Sequence, residues 1–198
     1  MYKLLGNLKT GLVFVVSAPA GTGKTTLVEK LYQEFPNVVR SVSYTTRQCR
    51  PGEVPGDHYH FISKEEFAQK IARNEFLEHV ELYGTLYGTA YQAVKEQQQK
   101  GNHIVLVIDT QGALLLKDRG FKAVFIFLMP PSEEELRKRL TERQTESASV
   151  IEERLQCAKR EFKAVARYDY CIVNDDLETA YQVLRSVFIA EEHRVSNL

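Results

Sequence analysis

Lys24 and Thr25 close the stretch Ala18-Pro19-Ala20-Gly21-Thr22-Gly23-Lys24-Thr25-Thr26, whose residue types and spacing carry the plainest chemistry in the chain. An apolar run, Leu12 to Val16, leads into it, and a helical pattern through Leu27, Val28 and Leu31 leaves it. A glycine-containing loop between strand and helix can wrap backbone N–H groups around phosphate oxygens, because unpaired donors and the helix dipole both favour negative charge there. On this reading Lys24 reaches the β and γ phosphates of a nucleotide and the Thr25 hydroxyl ligates Mg²⁺. Ala18 stands where the usual pattern has its first glycine, while Gly21, Gly23, Lys24 and Thr25 keep register. Two other readings compete. One is a glycine-rich turn with a chance lysine. The other is a secretion signal, imitated by Lys3, Lys9 and Ala18-Pro19-Ala20. The second fails because the apolar core is short and rich in β-branched residues, and cleavage after Ala20 would cut the loop.

A second group of chemistry-bearing residues lies in Thr45-Thr46-Arg47-Gln48-Cys49-Arg50-Pro51-Gly52, a turn-rich segment with two arginines. Elsewhere the composition excludes more than it suggests. Twenty-six basic residues balance twenty-six acidic ones, so no global positive field argues for nucleic acid. Cys49, Cys157 and Cys171 are odd in number and lack C-x-x-C spacing, which suits a reducing compartment. The five histidines show no metal-ligand spacing, and no apolar run approaches the ~20 residues that cross a bilayer. The expectation is a cytoplasmic protein with neither membrane nor nucleic acid as partner.

The elements that must position these residues follow from periodicity. Short β-rich or apolar runs at about 12–17, 38–44, 104–109, 123–128 and 170–173 read as core strands alternating with helices, hence an α/β fold with a mainly parallel sheet. Ser63 with Glu66 and Ser132 with Glu135 are helix-start signals, and Asn174-Asp175-Asp176 is a turn and cap. Helices are expected at about 90–100, 150–165 and 177–194. The stretch 43–89 breaks the alternation: short strands at 58–62 and 76–82, one helix, and an aromatic turn at Tyr83 to Gly88, as in a small α+β insert. Residues 141–149 are polar without an apolar face, a flap or exposed connection. Length allows one sizeable core.

Taken together, the phosphate loop, Thr45-Thr46-Arg47-Gln48-Cys49-Arg50-Pro51-Gly52-Glu53, Tyr87-Gly88-Thr89, Ile108-Asp109-Thr110-Gln111-Gly112 and Val173-Asn174-Asp175-Asp176 give a chain that resembles the guanylate kinase family over almost its whole length. The resemblance implies a P-loop NTPase-like core at about 1–42 and 90–198, a GMP-binding insert at about 43–89 and a lid at about 141–149. It implies phosphoryl transfer from ATP to GMP, and to dGMP, with Mg²⁺. Arg47, Arg50, Tyr59 and Tyr87 match the acceptor-phosphate ligands, and guanidinium forks suit phosphate oxygens. Ser43, Glu78 and Thr89 match the readers of guanine, whose N1 and N2 donors suit a carboxylate that adenine would leave facing a lone pair. Asp109 matches an acidic residue near the acceptor base and metal. Arg139, Arg143 and Arg154 match the arginines brought over the transferring phosphates, and Asn174 and Asp175 the turn beside the ATP adenine.

Two positions depart from the family. Val107 replaces an aspartate two residues before Asp109, and Gln144 replaces a common glycine in the lid. Two rival functions remain at this level: a guanylate-kinase-like binding domain without catalysis, and a related P-loop kinase with another acceptor. The first tends to lose phosphate-loop or arginine residues that are all present here.

Overall fold

The computed structural model describes residues 3–142 and 147–197. Apolar runs too short for helices build its central sheet. Strands β1 (Val13–Ser17), β2 (Val38–Arg40), β7 (His103–Val107), β8 (Val124–Met129) and β9 (Tyr170–Val173) lie in the order β2-β7-β1-β8-β9, every pair parallel. Alternation divides β1 between two cores. Phe14 and Val16 pack with Leu27, Val28 and Leu31 of α1 (Lys24–Glu34) and Leu184 and Phe188 of α7 (Leu177–Glu192). Val13 and Val15 face the other way, onto Val94 of α3 (Tyr91–Gln99) and Leu116 of α4 (Thr110–Asp118). Both faces of β1 are therefore covered, which is why its sequence is apolar throughout.

A second sheet, β4-β3-β6-β5, is made by β3 (Tyr44–Thr45), β4 (His60–Phe61), β5 (Phe76–Leu82) and β6 (Thr85–Ala90), with α2 (Lys64–Ala72) beside it. The fully buried Phe67 of α2 stacks on Phe76 at 4.5 Å. Helices α5 (Glu133–Glu142) and α6 (Ala148–Phe162) pack through Leu136, Leu140, Ile151 and Leu155.

The helix starts follow the sequence signals. The Ser63 hydroxyl accepts from Glu66 N at 3.0 Å, Ser132 from Glu135 N at 3.1 Å, and Asp176 from Thr179 N at 2.8 Å. Three expectations are corrected. The strand expected at 38–44 is two strands in different sheets: β2 stops at Arg40, Ser41 to Ser43 cross over, and β3 pairs with β4 and β6. The aromatic turn expected at Tyr83 to Gly88 is mostly strand β6, since only Tyr83 and Gly84 turn, both with positive φ (52° and 74°), as a two-residue hairpin requires. Helix α4 was not expected at all; Asp109 ends no simple strand but caps this helix, accepting from Gly112 N at 3.0 Å and Gln111 N at 3.2 Å. Of the segment expected as a lid, Arg143 and Gln144 lie outside the described residues.

Candidate active site

The loop between β1 and α1 is pinned by hydrogen bonds. Thr22 is buried, and its hydroxyl donates to Pro19 O at 2.9 Å. Asn174, also buried, donates from Nδ2 to Thr22 O at 2.7 Å, tying the loop to the end of β9. Gly23 caps α1 with φ +86°, and a Cβ there would stand 2.5 Å from Asn174 Nδ2. No L side chain fits that position without moving Asn174. Lys24 donates from Nζ to Ala18 O at 3.2 Å. Burial pushes its ammonium below the usual lysine range, and the carboxylates of Glu161 and Asp109 pull it back up.

A cavity of about 400 Å³ brings Lys24 and Thr25 together with Arg50, Tyr59, Glu78 and Tyr87. Ala18, Ala20, Asp109 and Arg154 line it as well. A smaller cavity of about 270 Å³ shares Thr25, Ser43, Arg50, Tyr59 and Val107 with it and adds Arg47. Residues far apart in sequence thus face one space, and Ala18, Ile108 and Asp109 bring to it the carboxyl ends of β1 and β7, where open parallel sheets bind ligands.

Glu78 is the most constrained group in this space. It is only 2% exposed, it pairs with Thr89 across β5 and β6, and it accepts the Thr89 hydroxyl at 2.6 Å. Burial raises its carboxyl to about 7, with the nearby Asp109 charge adding to the effect and the Thr89 hydroxyl opposing it. Room for it comes from Gly112, where a Cβ would lie 2.7 Å from Glu78 Oε2. Arg47 holds its fork on Glu53, donating from Nη1 at 2.6 Å and Nη2 at 2.5 Å, and Arg50 N donates to the same carboxylate at 2.8 Å. That pairing keeps the Glu53 carboxyl down at about 2. The Arg47 guanidinium lies 5.0 Å from the Tyr59 ring centre, and Tyr59 meets Tyr87 edge-on at 5.9 Å. Burial also raises the Tyr59 hydroxyl.

Not every expected residue reaches the main cavity. Arg139, Asn174 and Asp175 line a separate opening of about 390 Å³ beside Gly21, Gly23 and Thr26. There Arg139 donates from Nη1 to Asn174 O at 3.0 Å and from Nε to Glu135 Oε1 at 2.9 Å. Asp109 lines the main cavity with both oxygens engaged by the α4 backbone. Among the described residues no group of three or more His, Cys, Asp or Glu could hold a metal, and Val107 brings no carboxylate to either cavity it lines.

Sequence reasoning missed Glu161, which lines the main cavity and accepts the Thr110 hydroxyl at 2.8 Å. A signal for it existed: Glu161 follows Arg154 by seven residues and Cys157 by four, so the three share one face of α6.

A glycine-capped phosphate loop on the central strand of a fully parallel sheet, with the helix beginning at its lysine, defines the class of P-loop nucleotide-binding proteins. The sequence comparisons narrow the class. The family model described as guanylate kinase matches residues 11–191. A guanylate kinase of Protochlamydia amoebophila is 59% identical over 191 residues, 96% of each chain. One from Chlamydia trachomatis serovar D is 52% identical over 186 residues, 93% of this chain and 90% of its own. The crystal structure of guanylate kinase from Anaplasma phagocytophilum superposes with a TM-score of 0.79 at 35% identity, covering 95% of this chain and 89% of that one. The chain belongs to the guanylate kinase family. Among the described residues, no helix is long and apolar enough to cross a membrane.

Proposed function

We propose that this chain transfers the γ-phosphoryl group of ATP to GMP, giving ADP and GDP, with dGMP as a second acceptor. The observation that carries the reading is the cavity shared by the phosphate loop and Glu78, whose carboxylate is held from behind by the buried Thr89 hydroxyl. A carboxylate next to a hydroxyl accepts from guanine N1 and N2, while adenine leaves its oxygens without donors. Unpaired buried acceptors are costly, so the wrong base is rejected strongly.

The roles are those the family resemblance implies, and the two cavities support them. Backbone N–H groups between Ala18 and Thr25, Pro19 excepted, cradle the donor phosphates, and Lys24 neutralises them. Asn174 and Asp175 border the adenine opening, and Thr26 lies at its edge. Arg47, Arg50, Tyr59 and Tyr87 hold the acceptor phosphate; Ser43, Glu78, Thr89 and Asp109 hold the guanine side. Arg139, Arg143 and Arg154 supply cations for charge spread over the transferring oxygens. Residues 43–89 act as the GMP-binding insert and about 141–149 as a lid, whose closure excludes water that would otherwise accept the phosphoryl group.

The residues suit Mg²⁺ held chiefly by phosphates and water: the Thr25 hydroxyl is exposed at the helix start, and Val107 offers no competing carboxylate ligand. When bound, the ion neutralises phosphate charge. The compartment proposed is the cytoplasm.

The test is ADP release from ATP with Mg²⁺ against GMP, dGMP, AMP, UMP and ribose phosphates. The reading expects GMP and dGMP to stand at least roughly a hundredfold above the others in kcat/KM. Equal use of AMP, or no turnover with any acceptor, contradicts it.

A further inference from the structure

Strand β5 changes face between Phe76 and Glu78. Phe76 stands opposite Ala90 and Glu78 opposite Thr89, so two residues of β5 answer one of β6, and Leu77 is the extra one. Regular alternation would put Phe76 and Glu78 on the same face of the sheet. Instead Phe76 and His79 turn toward Phe67 of α2, at 4.5 and 6.5 Å between ring centres, while Glu78, Val80 and Leu82 line the main cavity. The irregularity thus decides which way the carboxylate faces. A bulge takes its extra residue out of the ladder, and beside an active site it commonly re-aims a side chain.

Helix α4 grips this bulge at both of its ends. Near the start, Gly112 leaves the space that the Glu78 carboxylate fills, and Ala113 and Leu116 share a buried cluster with Leu77. Just past the last residue of α4, Arg119 donates from Nη1 to Leu77 O at 3.1 Å, a bond between residues 42 apart in sequence that ties the insert to the core. Burial raises the Glu78 carboxyl, and the Arg119 cation is among the groups that draw it back down.

We propose that Arg119 is a positioning residue for acceptor recognition: by holding the Leu77 carbonyl it fixes the β5 bulge, and so keeps the Glu78 carboxylate turned into the cavity. The assignment rests on the reading of Glu78 as the group that recognises guanine and deepens it. Base discrimination then depends on a cation that lines neither of the two cavities around Glu78 and Arg47.

Arg119→Met keeps much of the side-chain stem and removes the donor, whereas Arg119→Lys keeps a donor. In steady-state assays of ADP release we expect Arg119→Met to raise KM for GMP about fivefold and to lower the preference for GMP over AMP by a similar factor, with kcat and KM for ATP within about twofold of the parent. Arg119→Ala is expected to match it, and Arg119→Lys to return KM for GMP to within about twofold of the parent. When Glu78 is already replaced, as in Glu78→Gln, adding Arg119→Met should change KM for GMP by less than about twofold, because a residue acting through Glu78 has nothing left to place. Thermal midpoints measured alongside show that each variant is folded. An unchanged KM for GMP in the folded Met and Ala variants overturns the proposal. So does an equal loss on top of Glu78→Gln, or a parallel change in KM for ATP that marks general loosening. A parent protein that phosphorylates GMP, with an Arg119→Met variant that behaves like it, defeats this inference alone; a parent that phosphorylates no GMP defeats the functional reading and this inference with it.

Discussion

The donor and acceptor sides of the cavity are built on different principles. On the proposed donor side nine consecutive residues form the loop, and most of the side chains are small: Ala18, Ala20, Gly21 and Gly23 leave backbone N–H groups uncovered, while Pro19 carries none. On the proposed acceptor side the candidate ligands are long side chains, Arg47, Arg50, Tyr59, Glu78 and Tyr87, gathered from separate strands of the second sheet and the loops between them. A backbone cradle needs only local conformation and one tie, Asn174 to Thr22. A side-chain site needs a folded scaffold and counter-charges to hold it while empty. Glu53 serves Arg47 in this way. On the proposed reading, the donor half makes few side-chain demands on its nucleotide, and discrimination belongs to the acceptor half.

Removing the one long side chain on the donor side is the largest way to break the comparison. Lys24→Ala is expected to lower kcat by roughly 10³-fold or more in a coupled ADP assay with GMP, since it deletes a cation at the transferring phosphates.

Next comes the pH dependence that burial of Glu78 imposes. Its folded pKa, about 7, lies above its ordinary value of 4.5, so the folded protein holds a proton that the unfolded chain releases. The stabilisation is complete below about pH 4.5 and is lost as pH rises through 7, on the order of 3 kcal/mol across the window. Urea unfolding of the ligand-free protein at pH 5 and pH 8 should show the loss, and Glu78→Gln should remove most of that difference. Identical pH profiles for the two proteins would mean that Glu78 is not strained by its burial.

The same variant probes discrimination. Glu78→Gln should reduce the preference for GMP over AMP in kcat/KM by roughly 10²-fold, because the amide no longer presents two acceptors. Unchanged preference would move base recognition elsewhere. A smaller effect, confined to the donor side, is expected of Gly23→Ala: its Cβ meets Asn174 Nδ2 at 2.5 Å and the backbone is left-handed there. ADP affinity should fall about tenfold, read by calorimetry, with GMP affinity untouched.

The contrast between the two sides also explains what could be read from the sequence. Strand, loop and helix from Leu12 to Leu31 are contiguous, so residue spacing alone reveals them. Helix starts at Ser63 and Ser132 were legible for the same reason, as each cap reaches only three residues ahead. Arg50, Glu78 and Tyr87 share a cavity through long-range packing that spacing cannot encode; only resemblance to a family brought them together beforehand. The division of residues 38–44 between two sheets escaped notice because the run keeps its β character through Ser41 to Ser43, where the chain merely changes partners. Helix α4 carries its start signal in Asp109, a residue that reads equally as a chemical group and as the cap it forms. Glu161 was legible only as a face shared with Arg154, and nothing local marks that face as lining a cavity.

The two proposed halves bind their ligands independently, and one paired titration tests this directly. ADP and GMP are each titrated into Lys24→Ala and into Arg50→Ala. Lys24→Ala should lose more than about tenfold in ADP affinity and keep GMP affinity within about threefold, and Arg50→Ala should show the reverse. If both variants lose both ligands together, the cavity is one undivided site and the distinction between a backbone donor half and a side-chain acceptor half is wrong.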